Sequence, residues 1–172
     1  MKKIVLAALL AIVGFCANAQ SQVSVVNKFG YIDSRELLAA MPEAKKADTD
    51  LQAYGKTLED ALKTMYTDYD TKVKAYTAQE KSMTDAMKEV KQKEIADLQK
   101  RIEDYTQDAQ NKIAAKREEI YKPILEKADK AIKDTAKEKG FTYVFDTSSG
   151  GLLYAQESDN IIALVKAKLG IK

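Results

Sequence analysis

Apolar residues in this chain recur at alternating steps of three and four over most of its length. Leu51, Tyr54, Leu58, Ala61, Met65, Tyr69, Val73 and Tyr76 make one series. Ile95, Leu98, Ile102, Tyr105, Ala109, Ile113, Ile120, Ile124, Ala128, Ile132 and Ala136, with Lys116 filling one step, make a second. Such spacing draws a narrow stripe on a helix, the seam of a coiled coil rather than the wide apolar face of a globular helix. Between Pro42 and Lys139 the only breakers are Gly55 and Pro123, while Ala, Leu, Lys, Glu, Gln and Asp dominate, as in long exposed helices. The pattern predicts helix over 42–139, folded back on itself as a hairpin. Equal arms would each hold about 48 residues, roughly 70 Å of helix. They would turn near residue 91, and because the stripe falters between Gln79 and Val90 the tip is expected within Ser82–Lys93. Gly55 weakens the first arm by up to ~1 kcal/mol. Pro123 predicts a kink in the second. Both lie toward the base, where they would let the arms bend.

The two ends of the chain switch to shorter periods. Phe29-Gly30-Tyr31-Ile32 reads as a strand, and Asp33 or Ser34 as the cap of a short helix over Arg35–Ala40, with Glu36 placed as in a capping box. Met41-Pro42 marks a break and a new helix start. Lys137 and Lys139 followed by Gly140 close the second arm. Phe141–Asp146 reads as a strand, Thr147–Gly151 as a turn and Leu152–Ala155 as a second strand, together a β-hairpin. Ser158 or Asp159 caps a final amphipathic helix closed by Gly170. The fold class expected is therefore α+β, mostly α. Residues 20–41 and 140–172 supply a small head, and 42–139 a long helical coiled-coil hairpin. A head of about 60 residues without disulfide or metal is too small a core to stand alone, which implies an oligomer whose copies share strands and hide sheet edges. The residues expected to build that oligomer are Phe29, Tyr31, Ile32, Phe141, Tyr143, Val144, Phe145, Leu152, Leu153, Tyr154, Ile161, Leu164 and Val165.

The first residues alter the picture by adding a compartment. Met-Lys-Lys, an apolar run from Ile4 to Phe15 and Ala17-Asn18-Ala19 before Gln20 read as a secretory signal peptide, residues 1–19, cleaved near Ala19–Gln20. Cys16 admits a second reading as a lipidated residue, against which the bulky Phe15 stands. No other apolar run approaches ~20 residues, so the mature chain is expected to be soluble and periplasmic. Met1–Ala19 carries two Lys and no acid, so cleavage takes Lys+Arg from 28 to 26 and balances the 26 Asp+Glu. Overall charge therefore gives no pointer to nucleic acid.

Catalytic chemistry finds little support, because the chain has no His and its single Cys leaves with the leader. Neither a Gly-rich phosphate loop nor a serine elbow is present, and no cofactor or metal is expected. The carboxylates alternate with Lys at helix spacing and read as solvated arm faces, while Asp33 and Asp146, which follow strands, read as capping and turn residues. Charge is uneven along the arm. Glu43–Asp70 carries four Lys against seven acids, and Lys72–Arg101 eight Lys or Arg against five acids. The distal arm is thus mildly basic and suits an acidic client or a weak contact with anionic lipid. It also concentrates Tyr69, Tyr76, Met83, Met87 and Val90, adaptable or amphipathic side chains suited to varied apolar partners, beside Lys88 and Lys91. Where the arms pack together these residues are seam; off the seam they become candidates for client contact.

The order of parts carries a resemblance. Phe29-Gly30-Tyr31-Ile32-Asp33, a short helix into Met41-Pro42-Glu43, a long charged hairpin, Lys-Gly-Phe-Thr-Tyr-Val-Phe-Asp over 139–146, Leu153-Tyr154 and a Ser158-Asp159 capped last helix resemble the Skp (OmpH) family of periplasmic chaperones across the mature chain. The arms match any coiled coil; the two end motifs around them are the specific part. The resemblance implies a jellyfish-shaped homotrimer with a β head and three hairpin tentacles around a cavity. It also implies a holdase that keeps unfolded outer-membrane β-barrel proteins from aggregating in transit, without ATP. Well-known relatives are strongly basic, whereas this mature chain is neutral, which weakens any carry-over of electrostatic capture or a lipopolysaccharide site. A rival reading is a structural coiled-coil spacer of the envelope that binds one folded partner.

Overall fold

The computed structural model describes residues 27–171; the leader of residues 1–19 and nearly all of the lead-in before Lys28 lie outside the described residues. The hydrophobic stripes become two long antiparallel helices, α2 (Pro42–Gln79) and α3 (Asp85–Lys139), joined by a single 3-10 turn at Glu80–Ser82. Every residue of the first stripe, from Leu51 to Tyr76, is half-buried, and Leu98 and Ile102 of the second are fully buried. The seam is therefore where the apolar spacing puts it. The tip is not at the centre of 42–139. Gln79–Thr84 makes the reversal, and Thr84 caps α3 by accepting the Met87 amide at 3.3 Å. Equal arms fail because α3 is the longer helix, 55 residues against 38. Glu43 at the start of α2 meets Lys127, so the last turns of α3 run on past the start of α2 into the head.

Two polar contacts lock the arms at their base, Glu43 with Lys127 and Asp48 with Tyr121. They bracket Pro123, and α3 continues as helix through that residue. The Lys127 hydrogen bond holds the Glu43 carboxyl below its usual pKa, and the Asp48 carboxylate, by accepting a hydrogen bond from the phenol, holds Tyr121 above its usual value. Further out, Gln92 Nε2 donates to the Tyr76 hydroxyl at 2.7 Å across the hairpin. The outer faces carry Lys–Asp pairs four residues apart, such as Lys56–Asp60 at 3.1 Å and Lys100–Asp104 at 3.1 Å, so exposed that each adds little to stability.

The head core forms where α3 overshoots. Ile32 of β1 (Phe29–Ile32), Leu37 of α1 (Ser34–Ala40), Met41, and Ile161 and Val165 beside or within α4 (Ile162–Leu169) are buried to 1% exposure or less. They pack on Ile124, Ala128 and Ala131 of α3 and Ala44 and Ala47 of α2. The small side chains let four helices and a sheet approach one another closely. Thr135, 2% exposed in this region, keeps a hydroxyl without a hydrogen-bond partner. At the end of α3, Gly140 takes φ 68°, the left-handed conformation open to glycine, and its amide bonds to Lys137 O at 3.2 Å.

The sheet corrects the expected β-hairpin. β2 (Tyr143–Asp146) pairs in parallel with β1, in the register Phe29–Tyr143, Gly30–Val144, Tyr31–Phe145 and Ile32–Asp146. Parallel strands need a long crossover, and here the whole helical hairpin serves as one. Leu152–Ala155 forms no strand among the described residues: β2 pairs with β1 on one edge and has no strand on the other. On its other side β1 meets Asn160 through an isolated bridge. The last helix is also capped differently: Glu157–Asp159 is a 3-10 turn, and the Asn160 carboxamide, rather than Ser158 or Asp159, accepts the Ile162 amide at 3.0 Å.

Candidate binding surfaces

The two acids that follow strands are structural fasteners. Asp33 accepts the Arg35 and Glu36 amides at 2.9 and 3.1 Å and caps α1. Asp146 reaches the same helix start from β2, accepting the Ser34 amide at 3.1 Å and its hydroxyl at 2.6 Å, with the Ser148 amide at 2.9 Å. Partial burial pushes the Asp146 carboxyl up, but these hydrogen bonds outweigh it and bring the pKa down to about 2. Glu36 does not complete a capping box; its carboxylate is held by Lys166 of α4 at 2.8 Å. Among the described residues, no group of three or more His, Cys, Asp or Glu is placed to hold a metal ion.

The residues expected to build an oligomer divide into two sets. Ile32, Ile161 and Val165 are buried within the chain's own core, with Phe141 and Val144 packed against it. Strand alternation sends Phe29, Tyr143 and Phe145 to the opposite face, exposed, where Phe29 stacks on Tyr143 with ring centroids 5.8 Å apart and lies 6.3 Å from Phe145. Tyr31, on the same face, is half-buried. Beside them run Leu152, Leu153 (99% exposed) and Tyr154 (81% exposed), and Leu164 is exposed on α4. This face therefore leaves a cluster of aromatic and aliphatic side chains uncovered in the single chain.

The distal arm divides in the same way. Tyr69 and Tyr76 are half-buried in the seam, Tyr76 through its bond to Gln92, and Met83 is half-buried in the turn. Met87 (53% exposed) and Val90 (56% exposed) stand clear of the seam on α3. Lys88 pairs with Asp85 at 3.6 Å and Lys91 with Glu94 at 2.9 Å, so the tip lysines are partly neutralised by local acids. A surface that the periodicity alone does not reveal lies at the base of the arms. There Leu125 (47% exposed), Tyr121 and Leu51 line an open groove of about 750 Å3. Leu125 sits one position beyond the seam residue Ile124, an offset that helix periodicity makes legible once the seam is known. Among the described residues no helix is long and apolar enough to cross a membrane.

Known proteins resemble this architecture as a whole. A crystal structure from Caulobacter crescentus of a candidate outer membrane chaperone (OmpH-like) superposes with a TM-score of 0.74, at 14% sequence identity and 84% coverage of each chain. That likeness shows the fold. No curated protein sequence matches this chain. The profile of the family described as Outer membrane protein (OmpH-like) matches residues 28–169, from the start of β1 to the end of α4. The long-arm hairpin, the parallel pair it connects and this match place the chain in the OmpH-like family of outer membrane proteins.

Proposed function

We propose that this protein is an ATP-independent periplasmic holdase that binds unfolded outer-membrane β-barrel proteins and keeps them from aggregating in transit. Membership of the OmpH-like family over residues 28–169 is the observation that carries the reading. The surfaces support it. Met87 and Val90 offer adaptable apolar contacts at the end of a long arm, with Tyr69, Tyr76 and Met83 behind them and Lys88 and Lys91 alongside. Many weak contacts of this kind offset a client's exposed apolar surface without fixing its conformation. The leader read at residues 1–19 supports a periplasmic location, and the tip lysines suit a weak contact with anionic lipid.

In this reading the head, residues 20–41 and 140–172, joins three copies, and 42–139 forms one tentacle of each. The outer sheet face with Phe29, Tyr143 and Phe145, and the segment with Leu153 and Tyr154, is the surface the other copies cover. Leu152–Ala155, unpaired within one chain, then finds a strand edge on a neighbour.

The decisive test is light scattering after a urea-unfolded outer-membrane barrel protein is diluted into buffer with and without the mature chain, with no nucleotide present. Suppressed aggregation at near-stoichiometric oligomer is the expected result. No suppression at any ratio would refute the holdase and favour the envelope spacer.

A further inference from the structure

Oxidation chemistry in this chain falls to its thioethers. The sequence has no His and no Trp, and its single Cys lies in the leader read at residues 1–19, which leaves Met41, Met65, Met83 and Met87 as the sulfur groups of the mature chain. The fold grades them by access. Met41 is 0% exposed in the head core, Met65 is half-buried in the seam, Met83 is half-buried in the turn and Met87 is 53% exposed on the first turn of α3. Two of the four thus stand together at the far end of the hairpin, on either side of the Thr84 cap.

A polar group added at the tip has a different effect from one added in the head. At the tip the main chain is held by bonds that no side-chain sulfur enters. The Met83 amide donates to Glu80 O at 3.3 Å, the Met87 amide to Thr84 Oγ1 at 3.3 Å and the Lys88 amide to Thr84 O at 3.0 Å. Oxidation of either tip side chain therefore leaves the reversal standing, whereas an oxygen on Met41 would sit unpaired in the core. The tip is also remote from the head: α2 alone runs 38 residues, about 57 Å of helix.

We propose that Met83 and Met87 form a reversible oxidation site that lowers client capture at the arm tip. The oxidant is hydrogen peroxide or an organic hydroperoxide. The thioether sulfur attacks the terminal peroxide oxygen, an S–O bond forms as the O–O bond breaks, and the proton passes to the departing oxygen. The products are methionine sulfoxide and water or an alcohol, and sulfur gives up the two electrons that the peroxide gains. The sulfoxide turns an adaptable apolar contact into a polar, hydrated one, removing the property that suits the tip to varied clients. A sulfoxide reductase reverses the step: a dithiol supplies two electrons and two protons and becomes a disulfide, and the oxygen leaves as water. The inference rests on the holdase reading and adds a chemical control to it.

The test exposes the native mature chain to graded hydrogen peroxide, removes the peroxide, maps each methionine by peptide mass spectrometry and repeats the light-scattering assay with a urea-unfolded outer-membrane barrel protein. Met87 should oxidise first and Met41 last. Conversion of Met83 and Met87 should raise the chain concentration needed for half-suppression by about tenfold or more, the scale of one lost methionine contact, and enzymatic reduction should restore it. Met83→Leu with Met87→Leu, compared with its own untreated sample, should show no peroxide-dependent loss. Met83→Gln with Met87→Gln should need the higher concentration without any peroxide. Capture that survives full conversion of both tip methionines, a loss that reduction does not repair, an equal loss in the leucine variant or a glutamine variant that captures like the wild type would overturn the switch. So would Met41 oxidising as fast as Met87. An untreated chain that suppresses no aggregation at any ratio would overturn the holdase reading itself, and the switch with it.

Discussion

Asp146 shows how one side chain joins segments far apart in sequence. Its carboxylate ties the end of β2 to the first turn of α1, a contact between residues 146 and 34 at the end of the parallel pair. Because its folded pKa is depressed to about 2, the stabilisation is present above the ordinary carboxyl pKa near 3.8 and is lost as pH falls toward 2. Asp146→Ala should lower stability at neutral pH by about 1 kcal/mol, discounted for solvent screening at this exposed site, and flatten the acid limb between about pH 4 and 2. Urea melts at a series of pH values check this; parallel wild-type and variant profiles would contradict it. Gly30 matters for another reason. A Cβ there would lie 3.0 Å from the Phe141 ring and 3.1 Å from Ile161, so Gly30→Ala should destabilise by about 1–3 kcal/mol through overpacking, read as a lower melting midpoint.

The helices show why a second glycine should behave in the opposite way. Gly55 lies inside α2, and a methyl group added there would meet nothing within 4 Å, so Gly55→Ala should raise arm stability by up to about 1 kcal/mol. Amide exchange along α2 would report the change, and an unaltered or faster rate would sink it. The same arm shows what sets helix length. α2 stops at Gln79 because a 3-10 turn and the Thr84 cap follow, and α3 gains its extra turns by running into the head, where Ala128 and Ala131 join the core. The tentacle and the head thus share one continuous helix, which couples arm position to head packing through residues 124–135.

The molecule as a whole combines a small buried core with a large uncovered apolar face. Leu153→Asp places a charge where a leucine side chain is fully exposed in one chain, so it should leave the monomer fold intact. If that segment is covered by other copies, the buried charge should dissociate the oligomer, visible as a smaller species in light scattering or sedimentation. A native-sized oligomer would contradict that role. For the arms, Lys88→Glu with Lys91→Glu should slow client capture at low salt and change it little at high salt, because exposed charges are screened over about 8–10 Å. Their existing pairs with Asp85 and Glu94 limit the effect to a few-fold.

Much of this protein was legible in its residues alone. The coiled-coil stripe determined which faces of α2 and α3 meet, Asp33 and Gly140 marked helix ends, and the end motifs carried the resemblance to the OmpH-like family, because each depends on neighbours within a few positions. The strand pairing was not legible. Phe29–Ile32 and Tyr143–Asp146 are each four residues long and equally ready to pair in either direction, and only the close approach of the chain ends across the hairpin made β1 the partner of β2. The reversal at Gln79–Thr84 overlaps the start of the expected Ser82–Lys93 window but falls short of residue 91, because equal arms assume that helix length is set locally, whereas α3 runs on into the head. Leu125 was invisible to the stripe because it lies between two grooves lined by residues of three helices and two strands. Sequence determines periodicity, caps and composition because these are local; pairing, arm length and grooves are decided by packing between segments more than a hundred residues apart, as Phe29 is from Tyr143.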